Sequence, residues 1–230
     1  MNPCLRKTLG VAGLALVVLA ISSAPGGARD GTAPKASPPK FKGSVDRIDR
    51  DLRHRITGDS WHRGCPVPIS GLRLLRVRHW NFDREVSRGY LIVNAGHARP
   101  VLRVMRRLFD LHFAIRRMRL VDAYGSDDRR SMRADNTSAF NCREVAGQPG
   151  VWSQHAYGLA IDVNTVENPY VSGSYVSPPN GRPFAKRRPH RKGMITTGGK
   201  VVRAFAKIGW EWGGYWSGTR DYQHFSATGT

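Results

Sequence analysis

Apolar residues recur at regular spacing in several segments between residues 71 and 208. In residues 99–112 they stand one, three and four positions apart, which predicts an amphipathic helix. The stretch 201–208, which stops before a glycine, predicts a second helix. Short apolar runs bounded by turn residues predict strands over residues 71–80, 89–94 and 115–121. Because strands and helices do not alternate regularly, the pattern predicts an α+β fold with a mostly antiparallel sheet and flanking helices.

The N-terminus has the pattern of a secretory signal. Arg6 and Lys7 precede an apolar run, and small residues ending at Ala24 follow it, so residues 1–24 are predicted to be a cleaved signal peptide. A retained membrane anchor is the alternative. It is disfavoured because the run has only about 13 residues, whereas a spanning helix needs ~20.

The rest of the chain divides once by composition. Residues 25–43 are rich in Gly, Pro and small polar residues, which predicts a flexible linker. No second linker or internal repeat follows, so residues 44–230 are predicted to form one domain. Within it, residues 170–199 are rich in Pro, Gly and Arg and are predicted to be a surface excursion beside the functional site.

Export changes what the cysteines imply. Cys4 precedes the apolar run and would be lost with the signal, which leaves Cys65 and Cys142. Two cysteines in an oxidising compartment predict a disulfide. A pair of buried free thiols is the alternative.

The chain is strongly basic. Its formal charge is +20, and loss of the two basic residues of the signal would leave +18. This surplus favours adsorption to polyanions, which for an exported protein are anionic cell-wall polymers. Nucleic acid is not expected as a partner, because the arginines are scattered rather than interleaved with aromatic residues on one face.

Two separate segments contain candidate metal ligands. His155 is followed by a bend at Gly158 and by an alternating run in which Asp162 projects away from the apolar face. A return of the chain at this bend would let His155 and Asp162 share one ion, and His224 near the C-terminus can add a third ligand. Two imidazoles and one carboxylate suit Zn²⁺ with a position left open for water. By spacing alone, packed or surface histidines are the alternative.

A carboxylate and an aromatic stretch accompany these ligands. Asp221 precedes His224 by three positions, close enough for a general base that serves attacking water. Residues 209–216 contain three tryptophans among glycines. These rings can form walls beside the metal, although burial in the core is their more usual place.

Spaced positions in the two segments form a combined motif, Ser153-x-His155-x-x-Gly158-x-Ala160-x-Asp162 followed by Asp221-x-x-His224-Phe225. This motif resembles that of the D-alanyl-D-alanine carboxypeptidase family of zinc peptidases. The family includes VanY-like carboxypeptidases, D,D-dipeptidases and L-alanyl-D-glutamate endopeptidases, and its α+β fold is shared with the Hedgehog signalling domain. The likeness extends from about residue 64 to the C-terminus and is strongest to an exported actinobacterial branch.

The resemblance implies roles for individual residues. His155, Asp162 and His224 would bind Zn²⁺, Asp221 would be the catalytic base, and Ser153 would help to hold substrate. Many relatives have Glu at the position of the base, whereas endopeptidase members often have Asp.

One departure concerns the arginine that binds or polarises substrate in the family. It often follows a tyrosine, but here Tyr124 is followed by Gly125. Arg143 is the substitute candidate, because its fork of donors can grip a carboxylate or an oxyanion. A structural ion pair is the alternative for this side chain.

The resemblance therefore implies a secreted, wall-associated zinc metallopeptidase. Its substrates would be peptidoglycan stem peptides, cut either as a D,D-carboxypeptidase or as an endopeptidase. No transmembrane span is expected after signal cleavage. The alternative is a non-catalytic wall-binding protein that keeps the fold.

Overall fold

The structure is a computed structural model that describes residues 37–229. The predicted signal peptide lies outside the described residues, as does most of the predicted linker. A compact unit begins at Pro39. Within the described part of the chain, none of the helices combines the length and the apolar character needed to cross a membrane.

Helices and antiparallel strands are mixed along the chain, which confirms the predicted α+β class. The helices are α1 (Arg50–Ile56), α2 (Ala98–Asp110), α3 (Asp128–Arg133) and α4 (Lys200–Ala206). The strands are β1 (Gly43–Arg47), β2 (Leu72–Trp80), β3 (Val86–Asn94), β4 (Arg117–Met118), β5 (Asn136–Thr137), β6 (Glu144–Val145), β7 (Gln148–Trp152), β8 (Ala160–Asp162), β9 (Tyr170–Ser172), β10 (Tyr175–Ser177), β11 (Glu211–Trp212), β12 (Thr219–Asp221) and β13 (His224–Ser226).

The antiparallel sheet β1–β2–β3 separates two apolar clusters. Successive side chains of a strand point to opposite faces. Leu75 therefore packs into one cluster with α2 and α4, whereas Leu74 packs into the other with α1. The strands predicted over 71–80 and 89–94 and the helix predicted over 99–112 are confirmed by β2, β3 and α2.

The second cluster contains the disulfide. Cys65 and Cys142 are bonded to each other across a separation of 77 residues, which confirms the predicted bridge. The buried Cys142 packs with Phe140 and Ile92, and Cys65 packs against the edge of the same cluster. The bridge therefore ties the segment before β2 to the segment that leads towards His155.

The strand predicted over 115–121 is mostly wrong, because only β4 forms there, paired in parallel with β5. At Arg119 the side chain of Asn136 takes the place of a neighbouring strand as hydrogen-bond partner. It accepts a hydrogen bond from the Arg119 N–H and donates one to the Arg119 carbonyl, both at 2.9 Å. A side chain that satisfies both backbone groups removes the need for a further strand partner.

Two further sheets position the functional residues. One has the order β11–β13–β8, and the other has the order β10–β9–β12. The segment predicted as a surface excursion contributes β9 and β10, and it also places Met194 and Ile195 in buried positions. It is therefore partly integrated into the core.

Candidate metal centre

A short 3₁₀ turn at Gln154–Tyr157 presents His155. Ser153 precedes the turn, and its hydroxyl accepts a hydrogen bond from the His155 N–H at 3.3 Å. Gly158 ends the turn with a φ of +67°, and a Cβ there would lie 2.6 Å from the backbone nitrogen of Asn94. Both the left-handed backbone and the close approach require glycine. The bend that the sequence predicts at this position is confirmed.

The pairing of β8 with β13 brings Asp162 and His224 together. These residues are directly opposite each other in the antiparallel register, so their side chains lie on the same face. On the other edge of β8, Asp162 exchanges backbone hydrogen bonds with Ser138 at 2.9 and 3.0 Å. Asp162 thus lies between β13 on one edge of β8 and the Ser138 segment on the other.

The three candidate ligands converge in a buried cluster. Nε2 of His155 lies 3.3 Å from Oδ2 of Asp162, and Nδ1 of His224 lies 3.0 Å from Oδ1 of the same carboxylate. The candidate ligand atoms all lie within 4.8 Å of one another. All three residues are buried. The structure therefore brings together the set that the sequence proposes as metal ligands.

A hydrogen bond orients the first imidazole. Nδ1 of His155 lies 2.6 Å from the carbonyl oxygen of Ala139. A carbonyl can only accept, so this nitrogen carries a proton, and Nε2 is the ring atom that faces Asp162 and would bind a metal. Metal-binding histidines are typically oriented by such an outer hydrogen bond.

The electrostatics of the cluster also fit a cation. Although burial opposes ionisation, His155 and then His224 hold the pKa of Asp162 well below its ordinary value. The site thus contains an ionised carboxylate with two imidazole nitrogens beside it. Two nitrogens and one carboxylate oxygen are a donor set that binds Zn²⁺ in catalytic sites.

Asp221 is held against this cluster by β12 and by the turn after β11. A Cβ on Gly213 would lie 3.0 Å from the Asp221 Cβ and 3.4 Å from the His224 Cβ, so glycine lets the two elements approach. Oδ1 of Asp221 is buried and has no hydrogen-bond partner among the described residues. Burial, and then the negative charge of Asp162, raise the pKa of Asp221 to about 7. Such a carboxyl group can both accept and return a proton near neutral pH.

The tryptophans of the aromatic stretch divide between core and site. Trp210 and Trp212 are each 2% exposed and belong to the core. Trp216 is half-buried, and its ring centroid lies 5.5 Å from that of His224. Only Trp216 of these three therefore forms a wall directly on a candidate ligand.

Arg143 forms an ion pair with Asp128, with 2.9 Å between Nη2 and Oδ2. Its Nε is buried and has no hydrogen-bond partner in the described part of the chain. The backbone carbonyl of Arg143 accepts a hydrogen bond from the N–H of Ser153 at 3.1 Å, which links it to the turn that carries His155. Arg143 thus combines an ion pair with an unused donor.

Sequence reasoning missed three other buried polar side chains, one of which belongs to the turn that carries His155. These side chains are those of Tyr124, Ser126 and Gln154. Each has a buried oxygen with no hydrogen-bond partner among residues 37–229. Asn141 connects two of their segments, since it donates to the Ser126 carbonyl at 3.4 Å and to the His155 carbonyl at 3.2 Å. Buried polar atoms are normally paired, so unpaired ones beside a functional residue point to a ligand. No sequence pattern marks them.

Comparison with known families supports the motif. A family model described as D-alanyl-D-alanine carboxypeptidase matches residues 146–227. The matched segment is about a third of the chain and includes all three candidate ligands and Asp221, but not Arg143. The match supports this family, and with it a hydrolase. Comparisons with curated proteins and with solved structures found no match.

Proposed function

We propose that the protein is an exported zinc peptidase that hydrolyses peptide bonds in peptidoglycan stem peptides. The observation that carries the proposal is the buried cluster of His155, Asp162 and His224 beside Asp221, within the segment that the carboxypeptidase family model matches. The Hedgehog-like form of the fold and the exported actinobacterial branch remain predictions from the sequence.

The metal ligands and the base would have distinct tasks. Zn²⁺ held by His155, Asp162 and His224 would supply a Lewis acid that activates water and polarises the scissile carbonyl. The Asp221 carboxylate would take the proton from the attacking water and deliver it to the leaving amine. Burial beside Trp216 would exclude bulk water from this proton transfer.

The unpaired polar atoms around the His155 turn would bind the substrate backbone. Nε of Arg143 can donate to a substrate carbonyl or carboxylate, and Oε1 of Gln154 can accept from a substrate N–H. Ser153 already uses its hydroxyl oxygen as an acceptor from the N–H of His155, and its hydroxyl hydrogen can still be donated to substrate.

Export and wall association are supported by the predicted signal peptide and by the disulfide, which persists in oxidising compartments. The predicted charge of +18 would concentrate the enzyme on anionic wall polymers. Because salt screens exposed charges, pelleting with purified wall should weaken as salt rises from 0.05 to about 0.5 M. Pelleting that does not change with salt would contradict this part of the proposal.

The central prediction concerns the reaction itself. The full chain, loaded with zinc, is incubated with purified peptidoglycan fragments, and the products are identified by mass spectrometry. Loss of one terminal alanine would identify a carboxypeptidase, whereas cleavage within the stem would identify an endopeptidase. A chelator and the Asp221→Ala variant should each abolish the product, because one removes the metal and the other removes the base.

The matched control is Asp83→Ala, which removes an exposed carboxylate in the turn between β2 and β3. It should cleave at the wild-type rate. If the wild-type protein binds zinc but no fragment is cut, the peptidase proposal fails and the wall-binding alternative replaces it.

A further inference from the structure

A cavity of about 540 Å³ lies beside β12, and neither the candidate metal ligands nor Asp221 are among its lining residues. Arg220 and Tyr222 flank Asp221 in sequence, and both line this cavity. Since neighbouring side chains of an extended strand point to opposite faces, the β12 backbone separates the cavity from the Asp221 carboxyl group. Its other principal walls are Arg187, Thr196, Trp212 and Tyr215.

Among residues 37–229, Arg187 lines the cavity as a cation without an acidic partner. In this part of the chain its guanidinium donates to neutral acceptors, which are the carbonyls of Glu167 and Ile195 and the side-chain oxygen of Asn168. It also stacks on the ring of Tyr222, with 4.3 Å between Cζ and the ring centroid. Burial deprives this charge of part of its solvation and lowers the pKa of Arg187 to about 10.

Arg220 adds a second cation. Within residues 37–229 its side chain makes no hydrogen bond or ion pair, and no acidic side chain is among the lining residues. Two guanidinium groups that share a cavity without a carboxylate repel each other and favour an anion between or beside them.

The remaining walls restrict what kind of anion can enter. Trp212 and Tyr215 meet edge to face, with ring centroids 5.2 Å apart, and offer an apolar surface. The volume falls in the range of sites for small ligands rather than for a continuous polymer chain. The planar fork of arginine matches a carboxylate with two parallel hydrogen bonds. A compact ligand with a carboxylate and a short apolar body fits all of these features.

We propose that this cavity binds a carboxylate of a stem peptide other than the one at the metal centre. The inference rests on the proposed function for the choice of ligand. Arg220 would grip the carboxylate, Arg187 would supply the second positive charge, and the rings of Trp212 and Tyr215 would cover the adjoining methyl or methylene groups. The protein would thereby hold a neighbouring stem peptide while it acts on another.

The test is a nuclear magnetic resonance titration of the full zinc-loaded chain. The probes are N-acetyl-D-alanine, which imitates the stem terminus, and N-acetyl-D-glutamine, which imitates the free carboxylate of a γ-linked D-glutamate. The probe that binds more tightly identifies the source of the carboxylate. The reporters are the arginine Nε–H signals and the indole signal of Trp212, whose N–H donates to the Tyr222 carbonyl at 2.9 Å.

Arg220→Gln should weaken binding at least about tenfold, because it removes a charge-assisted bidentate contact. Arg220→Lys keeps the charge but loses the planar fork of donors, so its affinity should lie between that of the wild-type protein and that of Arg220→Gln. The matched control, Arg182→Gln, removes the same charge from an exposed side chain and should leave affinity within about twofold.

Three outcomes would overturn the inference. They are equal affinity for the tighter of the two probes and its uncharged amide, equal affinity of that probe for the Arg220→Gln and Arg182→Gln variants, and binding only of poly(glycerol phosphate), which is titrated as a third probe. The second outcome would locate the ligand at the metal centre or elsewhere. Cleavage by the wild-type protein without cavity binding rejects only this inference, whereas cavity binding without cleavage rejects only the proposed function.

Discussion

Two groups of described residues each bring three potential metal donors within 4.8 Å of one another. They are His62, Cys65 and Cys142 in one group and His155, Asp162 and His224 in the other. In the first group the two sulfurs are bonded to each other, so neither can act as a thiolate ligand. Nε2 of its histidine faces the Cys142 carbonyl at 3.3 Å.

The second group differs in burial and in charge. Its carboxylate is ionised and enclosed, with imidazole nitrogens 3.0 and 3.3 Å from its two oxygens. An enclosed negative charge favours a bound cation, whereas a closed disulfide does not. Proximity of donors is therefore insufficient to define a metal site. Whether the donor atoms are already bonded to each other, and what charge they have, decides which group can hold an ion.

The largest effect is expected from Asp162→Asn. This change removes the charged ligand of the second group. Changes to residues that only support a ligand lower metal affinity about 10- to 100-fold, so zinc affinity should fall by more than that, and cleavage should fall with it. The measurement is zinc titration against a competing chelator, with circular dichroism to verify the fold. Asp83→Asn is the matched control. Zinc bound by Asp162→Asn with wild-type affinity would show that the metal lies elsewhere.

A smaller effect is expected when the first group loses its bridge. Replacing both Cys65 and Cys142 by Ala removes a crosslink between residues 77 apart, which should lower the free energy of unfolding by about 4 kcal/mol. Zinc content should not change. Denaturant unfolding and metal analysis check both points.

His62→Ala is the control for that experiment, because it removes the third donor and keeps the bridge. It should cost about 1 kcal/mol or less, the range of a lost hydrogen bond. Loss of a zinc equivalent in either variant would mean that the first group binds metal after all.

An effect smaller than the loss of the disulfide is expected at a buried carboxyl group outside both donor groups. Glu167 is 3% exposed, and it shares Arg116 with Asp135 at distances of 3.2 and 3.0 Å. Burial, and then a hydrogen bond with Asp135 and the charge of that residue, raise the pKa of Glu167 to about 8 from its ordinary 4.5. Between these values the unfolded chain releases a proton that the folded chain keeps, so stability should fall as pH rises from 4.5 through 8.

In the wild-type protein the free energy of unfolding should decline by about 1 to 3 kcal/mol between pH 5 and 8. Glu167→Gln imitates the protonated form and should abolish this decline. Urea unfolding at several pH values, with and without a chelator, measures it. The wild-type decline should not depend on the chelator, because no metal is expected at Glu167. The same slope in wild type and variant would show that another group is responsible.

Local patterns predicted much of the fold but not the short elements. The spacing of apolar residues predicts β2, β3 and α2, since these elements bury one stripe or face over many residues. The prediction over 115–121 was mostly wrong because Asn136, which lies 17 residues beyond Arg119, satisfies the backbone there. A two-residue strand leaves too few positions for a period to be recognised.

The motif predicted which residues could form the metal site, but it could not predict their surroundings. The identities of His155, Asp162 and His224 and the bend at Gly158 follow from the motif, because each has a local chemical reason. The orientation of His155 by the Ala139 carbonyl does not, because that partner is 16 residues away. The unpaired atoms of Arg143 and Gln154 are likewise visible only in the folded chain.

The amino-acid sequence by itself determined the donor types, the basic charge, the pair of cysteines and the longer elements, because these depend on composition and short-range spacing. Only the tertiary structure decided that Asp162 lies opposite His224, 62 positions later, and that the cysteines close on each other. It also decided that Arg187 and Arg220 share one cavity. Such convergence depends on strand register and on packing between distant segments, and no local pattern encodes either.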